Sequence, residues 1–224
     1  MIKITKGKEP KELLQYRLQK QPSPSYRTMP TDKKKKVLES LIAEQCGLCA
    51  YCMCRIDNKG GKHQATIEHC EPQSLSKEKS LMYANMVAVC NGNRDHHSIE
   101  EKTCDARRGD LPVDKQPMKF LNVFDDIKLK VIDYKGDGTI LSNNPDANED
   151  LNYRLNLNCE ARQLKECRKQ ALQQFFQYIK KKYGNKDADY STLLAEVIDN
   201  KENFPFCGIL IWWLKKKIKK SRKP

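Results

Sequence analysis

The sequence predicts an α+β fold, mostly helical, in which helices flank a cysteine-rich centre and one small β-hairpin. Three observations carry this. Apolar residues recur at helical spacing towards both ends of the chain; residues 118–142 alternate and are broken by Gly136-Asp-Gly138; and seven of ten cysteines fall between Cys46 and Cys104, where periodicity is weak.

The elements follow in chain order. Lys11 to Leu18 is a short helix candidate, and Gln21-Pro-Ser-Pro-Ser predicts extended chain, since a residue before proline avoids the helical region. Thr31 or Asp32 is expected to cap a helix with Val37, Leu38, Leu41 and Ile42 on one face, ending at Cys46-Gly47. Gln64 to His69 is a short strand candidate. Phe120 to Phe124 and Ile127 to Tyr134 form β-segments, the second turning through Gly136-Asp-Gly138 into Thr139-Ile-Leu. A long helix is expected from Cys159 to Tyr183, with Leu164, Cys167, Ala171, Phe175 and Ile179 on one face and Gly184-Asn185 as its stop. Another spans Ser191 to Asn200. The chain closes with an apolar run to Leu214 and a Lys-rich tail; Ile209, Leu210, Trp213 and Leu214 share a helical face, which points to core packing or partner docking. These elements divide into a basic arm and helix (1–45), the cysteine-rich core (46–112), and a hairpin with a helical region and basic tail (113–224).

At 224 residues, 38% hydrophobic and 32% charged, the chain carries enough apolar residues for a core. No stretch approaches the roughly 20 apolar residues of a membrane span, and the N-terminus lacks a secretory h-region. The expectation is a cytoplasmic protein without a membrane partner. The net charge of +13 is concentrated at the ends. Residues 1–36 hold 11 basic and 3 acidic residues, or +8; residues 215–224 hold 7 basic and none acidic; the remainder is 13 − 15 = −2. Basic ends on a near-neutral body are a footprint of polyanion binding.

Ten cysteines in a reducing compartment favour metal over disulfides. Cys49-Ala-Tyr-Cys52 has the C-x2-C spacing of a zinc knuckle, and Cys90 with Cys104 is the best second pair, although 13 residues separate them. His96 and His97 lie in that interval and are alternatives for one sulfur. Cys46, Cys54 and Cys70 read as reduced packing residues. A closed four-thiolate zinc site leaves no coordination position for substrate, so any chemistry must come from elsewhere. Between and after the pairs stand Ile67-Glu68-His69, Asn85-Met-Val-Ala-Val-Cys90 and Cys104-Asp-Ala-Arg-Arg-Gly109.

This order of residues resembles the HNH endonuclease family over residues 46–110. The resemblance implies a ββα-metal core around one divalent cation, Mg²⁺ or Mn²⁺, beside the structural Zn²⁺. It implies His69 as general base, Glu68 as a metal ligand and Asn85 as the residue that fixes the loop. The family's last motif residue is usually Asn or His and falls here on Asp105, a hard ligand whose rivals are His96 and His97. Arg107 and Arg108 are positioned in sequence to clamp phosphate, with an ordinary salt bridge as the other reading. Longer stretches, Ile67 to Pro72, Tyr83 to Cys90 and Leu155-Asn-Leu-Asn158 before an arginine-bearing helix, are similar to the PtuB group of HNH subunits in Septu and retron-associated anti-phage systems. That likeness implies a PtuA-like ATPase of the ABC or SMC type as partner and, in retron systems, a reverse transcriptase with its multicopy single-stranded DNA (msDNA). It makes duplex DNA the default substrate and a structured RNA such as tRNA the alternative. The competing class is a non-catalytic zinc-knuckle subunit for nucleic-acid binding or assembly, which leaves Glu68-His69, Asn85 and Asp105 unexplained.

Overall fold

The computed structural model describes residues 1–20, 22–56, 65–184 and 187–221. Gln21, Gln64, Asn185 and Arg222 to Pro224, each part of a sequence expectation above, lie outside the described residues. About half of the chain is helical, and two small antiparallel strand pairs complete an α+β fold. No helix among the described residues is long and apolar enough to cross a membrane.

Helix α1 (Lys11–Arg17) buries Leu13 and Tyr16, and helix α2 (Thr31–Glu44) buries Val37 and Leu41, as the apolar spacing requires. The expected cap of α2 is corrected: Pro30 occupies the cap position and no side chain caps the helix. Proline is pre-set for the extended angles that precede a first turn, so Thr31 and Asp32 are already helical. The arm between these helices is fastened by Tyr16, whose hydroxyl reaches the Ser25 carbonyl at 3.0 Å and Thr28 Oγ1 at 3.0 Å.

Strand β1 (Ala65–His69) pairs antiparallel with β2 (Met86–Cys90), from Ala65 opposite Cys90 to His69 opposite Met86. Every residue of β2 is buried, so it carries no alternation for a sequence reading to detect. Helix α3 (Cys104–Gly109) follows the long loop after β2 and lies across the end of β1, where Arg108 Nη1 donates to the Cys70 carbonyl at 3.0 Å.

The next segment departs most from the expected β-structure. Residues 120–124 are not a strand. The buried Asp150 carboxylate accepts the backbone N–H groups of Lys119, Phe120 and Leu121 at 2.8–2.9 Å, so this stretch satisfies its donors without a sheet partner. Asp125 then caps a short helix α4 (Asp126–Leu129), accepting from Ile127 N at 2.9 Å, which removes the first half of the second expected β-segment. The hairpin itself is present, with β3 (Ile132–Tyr134) paired to β4 (Ile140–Ser142). Helix α5 (Pro145–Glu149) and one π-turn lead into α6 (Leu164–Tyr183), which starts five residues later than expected. Its inner face is Leu164, Arg168, Leu172 and Phe175, with Cys167, Ala171 and Ile179 half-buried beside it. Arg168 is fully buried because carbonyls take its charge: it donates to Gly138 O at 2.5 Å and to Leu157 O at 2.9 Å. Gly138 has φ +88°, and a Cβ there would stand 1.9 Å from the Lys165 carbonyl, so hairpin and helix meet only through a glycine.

Helix α7 (Tyr190–Asp199) is capped by Asp189, and α8 (Cys207–Ser221) buries Ile209, Leu210 and Leu214 with Trp213 half-buried, the face expected from sequence. One apolar core joins all of these elements, from Ile4 and Leu13 through Val87 and Leu151 to Leu214.

Candidate active site

The four cysteines of the two knuckles converge. Cys49 and Cys52 lie on the loop after α2, Cys90 ends β2, and Cys104 opens α3; all four are buried and their sulfurs lie within 4.8 Å of one another. The Sγ separations are 3.9 Å for Cys49 to Cys104, 3.7 Å for Cys52 to Cys90 and 3.8 Å for Cys90 to Cys104. Tetrahedral corners about 2.3 Å from one zinc ion are about 3.8 Å apart, so the cluster is positioned to bind a metal ion and is compatible with structural zinc. Arg162 supplies a second indication. Its Nε is buried without a hydrogen-bond partner; desolvation opposes its charge, yet the thiols of Cys90, Cys54, Cys52 and Cys104 hold its pKa up. A cation there would offset the net negative charge that four thiolates leave around a divalent metal. Cys46, Cys54 and Cys70 stand outside the four-sulfur group, as expected.

The close approach of the second knuckle depends on Gly92. At φ +63°, its missing Cβ leaves room for the Thr103 carbonyl, which would otherwise lie 2.2 Å away. Thr103 N donates back to Gly92 O at 2.8 Å, so the loop from 91 to 103 closes on itself and returns Cys104 to Cys90.

Next to this knot, a cleft of about 240 Å³ is lined by Glu68, His69, Gln73, Asp105 and Arg108, among others. Neighbours on a strand point to opposite faces, but β1 ends at His69 and α3 crosses that end, so Glu68 and His69 reach the same cleft. Glu68 is buried. Its Oε1 receives Arg108 Nη2 and, at 3.3 Å, the Tyr51 hydroxyl; its Oε2 receives His69 N at 2.9 Å. Burial pushes the Glu68 carboxyl well above the usual carboxylate range, against the pull of Arg108, and the facing Asp105 carboxyl pushes the same way. Arg94, from the long loop, pairs with Asp105 Oδ2.

His69 is held by both ring nitrogens. Nε2 lies 2.9 Å from the Ser80 carbonyl, which can only accept, so Nε2 carries the hydrogen; Nδ1 is then an acceptor and faces the Gln73 amide at 3.1 Å. Burial lowers the imidazole pKa below 6.5, with the Ser80 carbonyl opposing that shift. Tyr26, from the N-terminal arm, meets the imidazole edge-on at 4.5 Å between ring centroids and 84° between planes. Burial, with Asp105 and Glu68 nearby, lifts the Tyr26 phenol to about 12.

Asn85 does not line the cleft. It lies beneath the loop that leaves β1, where Oδ1 accepts Glu71 N at 2.8 Å and Nδ2 donates to Glu71 O at 3.1 Å and Lys79 O at 3.3 Å. The two arginines do not act as one clamp. Arg107 is buried on the far side, bound to Tyr153 O at 3.0 Å and Glu100 at 2.9 Å, and only Arg108 lines the cleft. His96 pairs with Glu101 at 2.8 Å, and neither it nor His97 lines the cleft, whereas Asp105 does. Tyr26, Gln73, Ser80, Tyr51 and Arg94 were not singled out by sequence reasoning. Nothing in their spacing marks them; Tyr26 arrives from a separate arm, and Ser80 contributes only its backbone.

No protein-family model matches the chain, and no curated protein matches it either.

Proposed function

We propose that the chain is a metal-dependent HNH nuclease of the PtuB kind, the effector of a Septu- or retron-type anti-phage system working with a PtuA-like ATPase. The observation that carries this reading is the convergence of Glu68, His69 and Asp105 on one cleft, beside a loop tied down by Asn85. In this reading β1, β2 and α3 are the ββα core, and the four-cysteine cluster fixes their relative positions.

Phosphodiester hydrolysis needs a proton acceptor that is neutral near pH 7, and a buried imidazole with its pKa lowered meets that need. The Ser80 carbonyl fixes the tautomer, so Nδ1 presents its lone pair to the cleft once Gln73 yields its place to water. A proton passes from that water to Nδ1 as the water oxygen bonds to phosphorus, and the 3′-oxygen departs with its bonding electrons, leaving a 5′-phosphate. Glu68 and Asp105 are the residues that would hold Mg²⁺ or Mn²⁺, which when bound supplies charge neutralisation at the non-bridging and leaving oxygens. The donor set fits such an ion: two hard carboxyl groups face one another, and the facing Asp105 carboxyl adds to the burial that raises Glu68, both of which a bound cation would offset.

The test is co-expression of wild-type chain or His69→Ala with its ATPase neighbour, followed by sequencing of all cellular DNA and RNA ends. His69-dependent ends bearing 5′-phosphates support the nuclease and name its substrate, including any retron msDNA or tRNA. If ends are independent of His69 while the variant stays folded and zinc-loaded, the zinc-knuckle binding or assembly subunit takes its place.

A further inference from the structure

A groove of about 600 Å³, larger than the cleft, lies beside it, and Pro72 lines both. One wall is the loop after β1, the other the irregular segment 117–124. Both are fastened from beneath: Asn85 holds the backbone of Glu71, and the Asp150 carboxylate holds three successive N–H groups of the facing wall while Arg154 Nε takes Pro117 O at 2.7 Å. The groove is therefore preformed. Its lining combines the half-buried rings of Phe120 and Phe124 with three lysines at the rim, of which Lys79 pairs with Glu71 and Lys119 with Glu149. Lys128 has no ion pair among the described residues and stands 5.7 Å over the Phe120 ring.

We infer that this groove is a subsite for one unpaired nucleotide of the substrate strand, adjacent to the phosphate that is cut. The inference rests on the nuclease reading and narrows its substrate class. A volume of this size accommodates a nucleotide; aromatic rings offer a stacking face that every base can use, and the lysines match the flanking phosphates. Pro72 lines both groove and cleft, so a base held here stands next to the reacting centre. Bases inside a duplex stay stacked and paired, so only a loop, bulge, single strand or flipped nucleotide can fill the groove.

The test uses full-length His69→Ala chain, which binds without cutting, and stem-loop oligonucleotides of DNA and of RNA carrying 2-aminopurine in the loop or in the stem. Binding is expected to quench the loop probe and not the stem probe, and to be tighter than for a fully paired duplex of equal length. Phe120→Leu and Phe124→Leu keep apolar volume but remove the rings, and each is expected to relieve the quench and weaken stem-loop binding about 5- to 100-fold, the effect of a lost base stack. Equal affinity for duplex and stem-loop, or a quench unchanged in both leucine variants, overturns the subsite. Loss of the ATPase partner from these variants with nucleic-acid binding unchanged assigns the groove to a polypeptide and overturns it too. The two readings fail distinguishably: His69-dependent cutting by wild-type chain with equal affinities removes the subsite alone, and a loop-specific quench without any His69-dependent cutting removes the nuclease and the cut phosphate, leaving only a groove that holds an unpaired nucleotide.

Discussion

Arg108 and Glu68 form a buried ion pair at the inner end of the cleft, and the same guanidinium also donates to the His69 carbonyl at 2.5 Å and the Cys70 carbonyl at 3.0 Å. One side chain thus ties α3 to the last two residues of β1 and to Cys70 just after it. Removing one partner of such a pair leaves a charge buried and unpaired, at a cost of about 3–5 kcal/mol. Arg108→Met is therefore expected to lower stability by that order, as read from denaturant unfolding. Glu68→Gln is expected to cost less, because the amide oxygen remains an acceptor and the guanidinium keeps the His69 and Cys70 carbonyls as partners. Equal losses in the two variants would contradict the proposed asymmetry.

Tyr26 covers an imidazole whose pKa is lowered first of all by burial. Tyr26→Ala admits water to the ring, so its pKa is expected to rise towards 6.5, which an NMR titration of His69 reads directly. The sign has a catalytic consequence: a raised pKa leaves less neutral imidazole in mild acid, and His69-dependent cleavage should fall off at higher pH than in wild type. A pKa unchanged in the variant would show that the arm does not shield the base.

The four-cysteine cluster gives a prediction independent of catalysis. Cys49→Ser replaces one of four thiolates, and about one zinc per chain, measured by elemental analysis of wild-type protein, should drop well below that in the variant. Structural zinc sites contribute folding energy outright, so a strong chelator is expected to loosen β2 and α3, where Cys90 and Cys104 sit. Hydrogen exchange reads this at Val87 to Val89 and Ala106 to Arg108. Cys46→Ser, outside the cluster, should retain the metal.

Local signals in the sequence reach the longer helices α2, α6, α7 and α8 and the Cys49-Cys52 pair, because amphipathic spacing and a C-x2-C pair are properties of neighbours, and they miss the short α4 and α5. They reach the β3–β4 hairpin through its Gly-Asp-Gly turn. They miss β2, whose uniform burial erases alternation, and they misread 120–124, where a distant carboxylate replaces a sheet partner. In the cleft, Glu68, His69 and Asp105 were legible by their order along the chain, but their partners were not. Tyr26, Ser80 and Arg94 come from three separate segments, and two arginines adjacent in sequence diverge because a helix turns about 100° per residue. Arg107 therefore faces Tyr153 while Arg108 faces Glu68.

Asp150 is the residue by which that non-local logic is most directly tested. Its two oxygens accept three backbone N–H groups and lie 3.5 Å from Arg154 at the nearest approach, all without solvent exposure. Asp150→Asn keeps the shape but leaves one oxygen, and turns an amide N–H₂ towards groups that are themselves donors. Losing charge-assisted hydrogen bonds and stranding buried donors is expected to destabilise the protein by about 2–4 kcal/mol. The damage should be local first: exchange protection of Lys119 to Leu121 falls before that of β1 and β2, because the hydrogen bonds and ion pair of Asp150 go to Lys119, Phe120, Leu121 and Arg154 and not to either strand. Since those three residues form one wall of the groove, stem-loop binding should weaken at temperatures where zinc content and the fold of the cysteine core are intact. If all segments lost protection together, the wall would not be an element that Asp150 holds on its own, and the preformed groove would have to be attributed to the core as a whole.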